Sequence, residues 1–498
     1  MNRFIRWLFP SLQILIGLMF FLAVLASGER MMNVDGDLGR HLTIGKFILD
    51  TRWIPTKDVF SHTMGGEDLT PHEWVAQVVF ALMERWLGLA GVVWLCALMI
   101  ALTAVLIFQL SWERSGGWLT SIFVTLLTMA ASSLHWLTRP HLFTFFFLAV
   151  WLKGLEDLFQ GKRYGRIFLP LLMLVWANTH GAFLAGFVVW VVYGLGLFWN
   201  IWVEKMSVDA LSEKFRSWLW VGGLSLIASL INPAGLDLWK TSVGYVRNAY
   251  LVGHTAEYLS PDFHTPSTFP FLFMVILFLG VWGISRQKPR MDEVLIVVLW
   301  TAMGLYSARN IPLFAVVSAP VLAKSIEMLW KERQGYFVWL DKLQHFNLRL
   351  QSVDSKTGGW VTFLLVIVLS VWGARSGWIP ARFAPEVFPV KAMDWLEIHP
   401  QEGNVFNYFP WGGYILYRAF PEVRVFIDGQ TDFYGEALTR QYEQVITLSE
   451  GWQEVLAEYK VQWVLMPASS ALVRTLESDS MWQALYRDDV AVILRRVP

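Results

Sequence analysis

Cysteine is almost missing from this chain of 498 residues: Cys96 is its single example and lies inside an apolar run. That excludes an internal disulfide framework and a cysteine-held metal cluster, so any domain outside the membrane must fold on its core alone. Charge is scarce too, with 16% of residues charged, a formal net charge of zero and a pI near 7.2. No global basic field argues for nucleic acid. Internal repeats, low-complexity segments, a glycine-rich phosphate loop after a strand and a local Ser/His/Asp arrangement are all lacking. What is abundant is apolar surface. Hydrophobic residues make up 55% and mean hydropathy is +0.44, with apolar runs recurring over three quarters of the length. This composition reads as a polytopic membrane protein, mainly α.

About eleven spans are expected, at 8–27, 88–110, 118–137, 142–157, 166–178, 181–203, 217–231, 269–285, 291–307, 311–326 and 359–375. A tight turn is expected at Asn178, Thr179, His180 and Gly181, because polar backbone at membrane depth persists only where protein or a wet cavity receives it. With Arg3 and Arg6 cytoplasmic, the inward segments hold 19 Lys and Arg against 10 outward. That bias is expected to put the N-terminus in, the first loop out and the C-terminal domain out. A cleaved leader over 1–28 is the competing reading, since Ala26 and Ser27 suit a cut, but the apolar stretch is long for one. Residues 1–375 form the transmembrane domain, with the first outer loop at 28–87; residues 376–498 form an α/β domain. That domain is expected to carry helices at Val390–Ile398 and 451–459, and strands at 423–427, 461–466 and 490–494. The stretch 327–357 reads as a polar, amphipathic linker.

Polar residues gather on the expected outer side. Eight of the nine histidines in the first 375 residues lie there: His41, His62, His72, His135, His141, His180, His254 and His264. The first loop packs Asp35, Asp37, His41, Asp58, His62, Glu67, Asp68, His72 and Glu73 together. Further clusters are Thr138 to His141, Asn178 to His180, Asn232 with Pro233, Ser260 to His264 and Ser307 to Asn310. Ionisable groups near membrane depth are costly, so six such clusters on one face point to a cleft, although any single one reads equally as a solvated helix end. Most of the 28 tryptophans suit head-group anchoring; Trp53, Trp74, Trp136 and Trp411 are expected near the cleft, where an aromatic face can line a binding groove.

The run Asp37, Leu38, Gly39, Arg40, His41, Gly45, then Ile54 to Ser61, then His72, Glu73, Trp74 resembles the first outer loop of bacterial GT-C glycosyltransferases. The likeness extends to the RPH, NTHG, SPDFH and ARNIP segments. It implies a GT-C-like helical bundle, a polyprenyl-phosphate sugar donor and catalytic acids in the first external loop. In the soluble domain, Trp411, Gly412, Gly413, Tyr414, Ile415, followed by Asp428 to Thr431, is similar to the acceptor-reading WWDYG segment of the oligosaccharyltransferase catalytic subunit. Glycine stands where that motif has Asp, and Pro410 replaces its second Trp. A buried Tyr after a Gly-Gly helix start is the competing reading.

Such a fold needs a carboxylate to take the acceptor proton and cations to meet the departing phosphate. Asp37 is the expected base, with Asp35 beside it and Glu73 as a further candidate. Arg309, Arg139 and Arg40 are the expected phosphate partners, because a guanidinium meets phosphate oxygens in a fork. His41, His141, His180, Asp262, His264 and Asn310 complete the substrate-binding set, with Trp411, Gly413, Tyr414 and Asp428 on the acceptor side. Asp37, Asp262 and His264 are also the candidates to hold a Mg or Mn ion, although their spacing is no metal motif. The alternative is a non-catalytic or transport protein that binds lipid-linked glycan in the same cleft. Against a transporter, only one broken helix is evident, at Asn178 to Gly181.

Overall fold

The computed structural model describes residues 7–203, 208–336 and 338–497. Arg3, Arg6 and Lys205, which entered the charge count, lie outside them. A helix covers each of the eleven expected spans: Leu12–Ala26, Leu89–Ser115, Trp118–Ser132, His141–Phe159, Gly165–Ala177, Leu184–Trp202, Val208–Ser229, Phe269–Ile284, Met291–Tyr306, Ile311–Glu332 and Trp360–Arg375. Counting the short 3-10 turns that extend some of them, five of the described helices are long and apolar enough to cross a membrane: Leu89–Ser115, Trp118–His135, Gly181–Trp202, Pro266–Ile284 and Ala308–Glu332. The chain is a multi-pass membrane protein with a small C-terminal sheet.

The polar turn at 178–181 survives in the bundle because protein satisfies it. Asn178 donates to the carbonyls of Leu174 at 2.9 Å and Ile231 at 2.8 Å, while its side-chain oxygen accepts the Trp74 indole N–H at 2.8 Å. The expected linker is more ordered than a linker: Val338–Asp354 is a helix whose Asn347 Oδ1 accepts the Trp118 and Leu119 backbone N–H groups at 2.9 and 3.1 Å. It thereby caps the start of helix Trp118–Ser132.

Two charged groups sit at opposite ends of the same helices. At one end Arg114 meets Glu156 at 2.7 Å and Glu293 at 3.6 Å, and Lys324 meets Glu293 at 2.8 Å. The other end carries the first loop, which contributes helices Asp37–Thr51 and Trp74–Leu87, and the C-terminal unit.

In that unit four strands, β1 (Asn404–Asn407), β2 (Val461–Pro467), β3 (Trp482–Arg487) and β4 (Ala491–Arg496), lie in the order β1-β2-β4-β3. β1 runs parallel to β2; the other pairs are antiparallel. Alternation sorts the side chains. Val405, Trp463, Leu465 and Ile493 join the core shared with the helical bundle, whereas Phe406, Val464, Met466, Val492 and Leu494 pack beneath helices Thr431–Ile446, Trp452–Glu458 and Ala471–Glu477. Helix Val390–Ile398 is found as expected. The strand expected at 423–427 is not: only a bridge between Ser61 and Val425 forms. Its apolar residues are buried by the first loop, which lends His62 N–H to the Val425 carbonyl at 3.1 Å and takes Val425 N–H on Phe60 at 3.2 Å.

Candidate functional site

The helix from Asp37 begins after Gly36, and Asp35 Oδ1 accepts the Asp37 N–H at 2.9 Å, so the first of the two carboxylates caps the helix that starts with the second. Across from them, the turn between helices Trp118–Ser132 and His141–Phe159 projects Arg139. One guanidinium reaches three carboxylates: Asp35 at 3.0 Å, Asp37 at 2.9 Å and Glu257 at 3.3 Å. Arg309, from the turn before helix Ile311–Glu332, meets Glu257 at 3.3 Å, donates to the Tyr258 hydroxyl at 2.8 Å and stands over its ring. His135 faces the other Glu257 oxygen at 3.6 Å.

Burial raises the Asp35 carboxyl against the pull of Arg139. Burial acts on Glu257 in the same sense, but Arg309, His135 and Arg139 outweigh it and hold that carboxyl well below the usual carboxylate range. Glu257 is therefore a fixed anion bridging two cations.

A second group lies beside the first, beyond Arg40. Glu73 is ringed by His41 at 3.7 Å, His180 at 3.7 Å and His72 at 4.0 Å, and borders a pocket of about 240 Å³ with Arg40, Thr70, Gln77 and Gln430. Burial raises the Glu73 carboxyl; burial and the nearby Arg40 hold the His41 imidazole well below its ordinary value, which keeps it neutral. His180 is oriented by Thr144 at 2.9 Å and by the Ala182 N–H it accepts, so the proton is on the nitrogen facing Glu73. His141 links the groups, bonding the His135 carbonyl at 2.5 Å and packing edge-on to His180.

The structure thus brings together Asp35, Asp37, Arg139 and Arg309 in one network, and Arg40, His41, Glu73 and His180 in its neighbour. It leaves others out. Asp262 and His264 pair with each other at 3.1 Å on an exposed turn, and Asn310 bonds the Met303 carbonyl at 3.1 Å at a helix end. The expectation that Asp262 would share the cavity is corrected: its carboxylate turns back on the His264 N–H at 2.9 Å. The candidate metal set Asp37, Asp262 and His264 is likewise dispersed, and no described group of three or more His, Cys, Asp or Glu is arranged to hold an ion. The cation between Asp35 and Asp37 is the guanidinium of Arg139.

On the acceptor-side segment, Trp411 is buried and donates its indole N–H to the Val387 carbonyl at 2.8 Å, and Tyr414 is buried under Arg418. Gly413 lies against the backbone of Gly36 and Arg40, while Asp428 pairs with Arg40 at 3.5 Å. Gly413, Asp428 and Gln430 thus face the first loop, whereas Trp411 and Tyr414 pack within the C-terminal unit. Glu257 and Tyr258 join the site without standing out in the sequence. Glu257 carried only a faint signal, a lone acid five residues before Asp262.

No protein-family model matches the chain, and no curated protein sequence does. Solved structures do. The archaeal oligosaccharyltransferase AglB from Archaeoglobus fulgidus, in complex with an inhibitory peptide and a dolichol-phosphate, is 11% identical over 91% of this chain and 69% of that one, with a TM-score of 0.60. The Archaeoglobus fulgidus oligosaccharyltransferase tethered to an acceptor peptide containing the NVT sequon matches with the same identity and coverage and a TM-score of 0.56. ArnT from Cupriavidus metallidurans, bound to undecaprenyl phosphate, is 14% identical over 97% of this chain and 98% of that one, with a TM-score of 0.48. The likeness to the oligosaccharyltransferase is one of fold: the chain shares its architecture, a polytopic helical bundle with an appended α/β unit.

Proposed function

We propose that this chain transfers a sugar from a polyprenyl-phosphate-linked donor to an acceptor at the outer face of the membrane. One observation carries the reading: three carboxylates and two guanidinium groups from four separated segments converge in one network at a single end of the bundle. Its GT-C fold is shared with an enzyme solved with a dolichol-phosphate.

In the reaction, an acceptor hydroxyl oxygen bonds to the anomeric carbon and its proton passes to Asp37. The bond from that carbon to the phosphate oxygen breaks, and its electron pair leaves on the phosphate. Asp37 suits the base because its neighbour Asp35 is occupied as a cap and burial already favours protonated Asp35. Arg309 suits the phosphate because it has one carboxylate partner and remains a third exposed. Arg139, engaged by three carboxylates, serves instead to hold Asp37 in place. The neighbouring pocket at Glu73 adjoins the same helix and would receive the acceptor.

The test is transfer of labelled sugar by purified protein from synthetic polyprenyl-phosphate donors. Turnover is expected from the parent and a fall of roughly 10²-fold or more in Asp37→Asn, which keeps shape and removes basicity. Donor binding without transfer, whatever sugar is offered, would favour a carrier that only binds.

A further inference from the structure

The first loop and the C-terminal unit meet backbone to backbone. A Cβ on Gly36 would overlap the Pro410 carbonyl, one on Gly39 the Gly413 carbonyl, and one on Gly413 the Gly36 carbonyl. Gly429 differs from these: a Cβ there would overlap Oδ1 of Asp37, a side-chain atom. Gly429 is not in the left-handed region, so its backbone does not call for glycine. What the position calls for is empty volume.

The carboxylate that fills this volume is gripped from the other side, where its Oδ2 meets Arg139 at 2.9 Å. The turn bearing Gly429 is itself pinned to the first-loop helix. Asp428 pairs with Arg40 at 3.5 Å, Gln430 accepts a hydrogen bond from Arg40, and Asp428 Oδ1 accepts the Gln430 N–H at 2.9 Å. Arg40 lies one helical turn beyond Asp37, so turn 428–430 and the carboxylate move as one body.

We propose that Gly429 is a positioning residue for the Asp37 carboxylate, through which the C-terminal unit completes a site whose charged groups come from the rest of the chain. The catalytic consequence rests on the function proposed above; the positioning does not. A mispositioned base slows transfer while leaving the phosphate contacts of Arg309 alone.

The experiment is a pair of double-mutant cycles on the full chain in detergent. In thermal melting, Gly429→Ala is expected to lower the midpoint in the parent and to cost nothing in Asp37→Ala, which lacks the atom the new methyl meets. Gly36→Ala, which meets only backbone, should cost the same in both backgrounds. If Gly429→Ala does not accumulate in the parent background, its recovery in Asp37→Ala supports the proposal and its failure in both overturns it. In transfer assays, Gly429→Ala should lower kcat by roughly ten- to a hundredfold with donor affinity unchanged. Adding it to Asp37→Asn should slow that variant no further. Equal melting costs in both backgrounds would overturn the positioning. A parent that transfers nothing, with the melting cycle coupled, would leave Gly429 in its role and remove the glycosyl-transfer reading instead.

Discussion

Arg139 and Arg309 carry the same charge and share Glu257, yet their surroundings assign them different work. Arg309→Ala should weaken donor binding and slow transfer together, because a charge that holds the phosphate in the ground state also stabilises it as it leaves. Asp37→Asn should slow transfer with donor binding nearly intact; a binding isotherm beside the turnover assay separates the two. Asp428 offers a test free of activity. Burial, opposed by Arg40, pushes its carboxyl up to about 6 from 3.8, so the folded state holds the proton more tightly than the unfolded one. The stability this brings is full below 3.8 and is lost as pH rises through about 6. Asp428→Asn cannot titrate, so the parent should lose roughly 3 kcal/mol relative to it between about pH 3.5 and 7.5. Melting both across that range checks it; a constant difference would show that Arg40 fully compensates the buried anion. Asp35 and Asp37 were legible in the sequence because they fall together in a loop dense with acids. Glu257 was not, since an isolated acid between a histidine-bearing turn and an aromatic has no spacing to mark it, and only folding brings it to Arg139 and Arg309.

Elements were most legible where their signal is local. The eleven apolar runs and helix Val390–Ile398 declare themselves by length and periodicity, whereas residues 423–427 look like a strand and are not one. Their partner is the first loop, more than 360 residues away in sequence, where His62 and Phe60 supply the hydrogen bonds. The same distance hid the purpose of Gly413. The WGGY run resembled an acceptor-reading segment, but Gly413 lets helix Gly412–Ala419 lie against helix Asp37–Thr51 at backbone contact, while Gly412 packs on Ile427 and Asp428 within its own unit. A methyl at Gly39 would strike the Gly413 carbonyl, and backbone on both sides leaves nothing flexible to give way. Gly39→Ala should therefore lower the melting temperature by several degrees and disturb the site. Gly244→Ala, in helix Asp237–Arg247 with open space around it, should be neutral or stabilising by up to about 1 kcal/mol. Equal effects of the two substitutions would mean that the interlock is looser than its geometry.

At the scale of the whole molecule, the helices carry two charged centres at their opposite ends. Helix Ile311–Glu332 leaves Arg309 at the candidate site and reaches Lys324 about 22 Å further on, at 1.5 Å per residue; helix His141–Phe159 runs over a similar rise from His141 to Glu156. That separation approaches the hydrocarbon thickness of about 30 Å, as expected if the Asp37 centre and the Arg114 centre border opposite faces of the membrane. Which face is which follows from the loops. In the expected topology Lys and Arg number 19 in the segments that include Arg114 and Lys324 and 10 in those that include Arg139 and Arg309, and such a bias predicts that the richer side is cytoplasmic. The C-terminal unit is fastened to the first loop through Arg40, Gly413 and Val425, so both must share one side, and the expectation is the outer one. A reporter active only outside the cytoplasm, fused after Pro498, should be active, and the same reporter inserted near Gly161, between Glu156 and Arg166, should be silent. The reverse pattern would place the carboxylates and arginines on the cytoplasmic face, where soluble nucleotide sugars are at hand and a polyprenyl-phosphate donor loses its rationale. The topology measurement therefore bears on the donor class as directly as on the orientation.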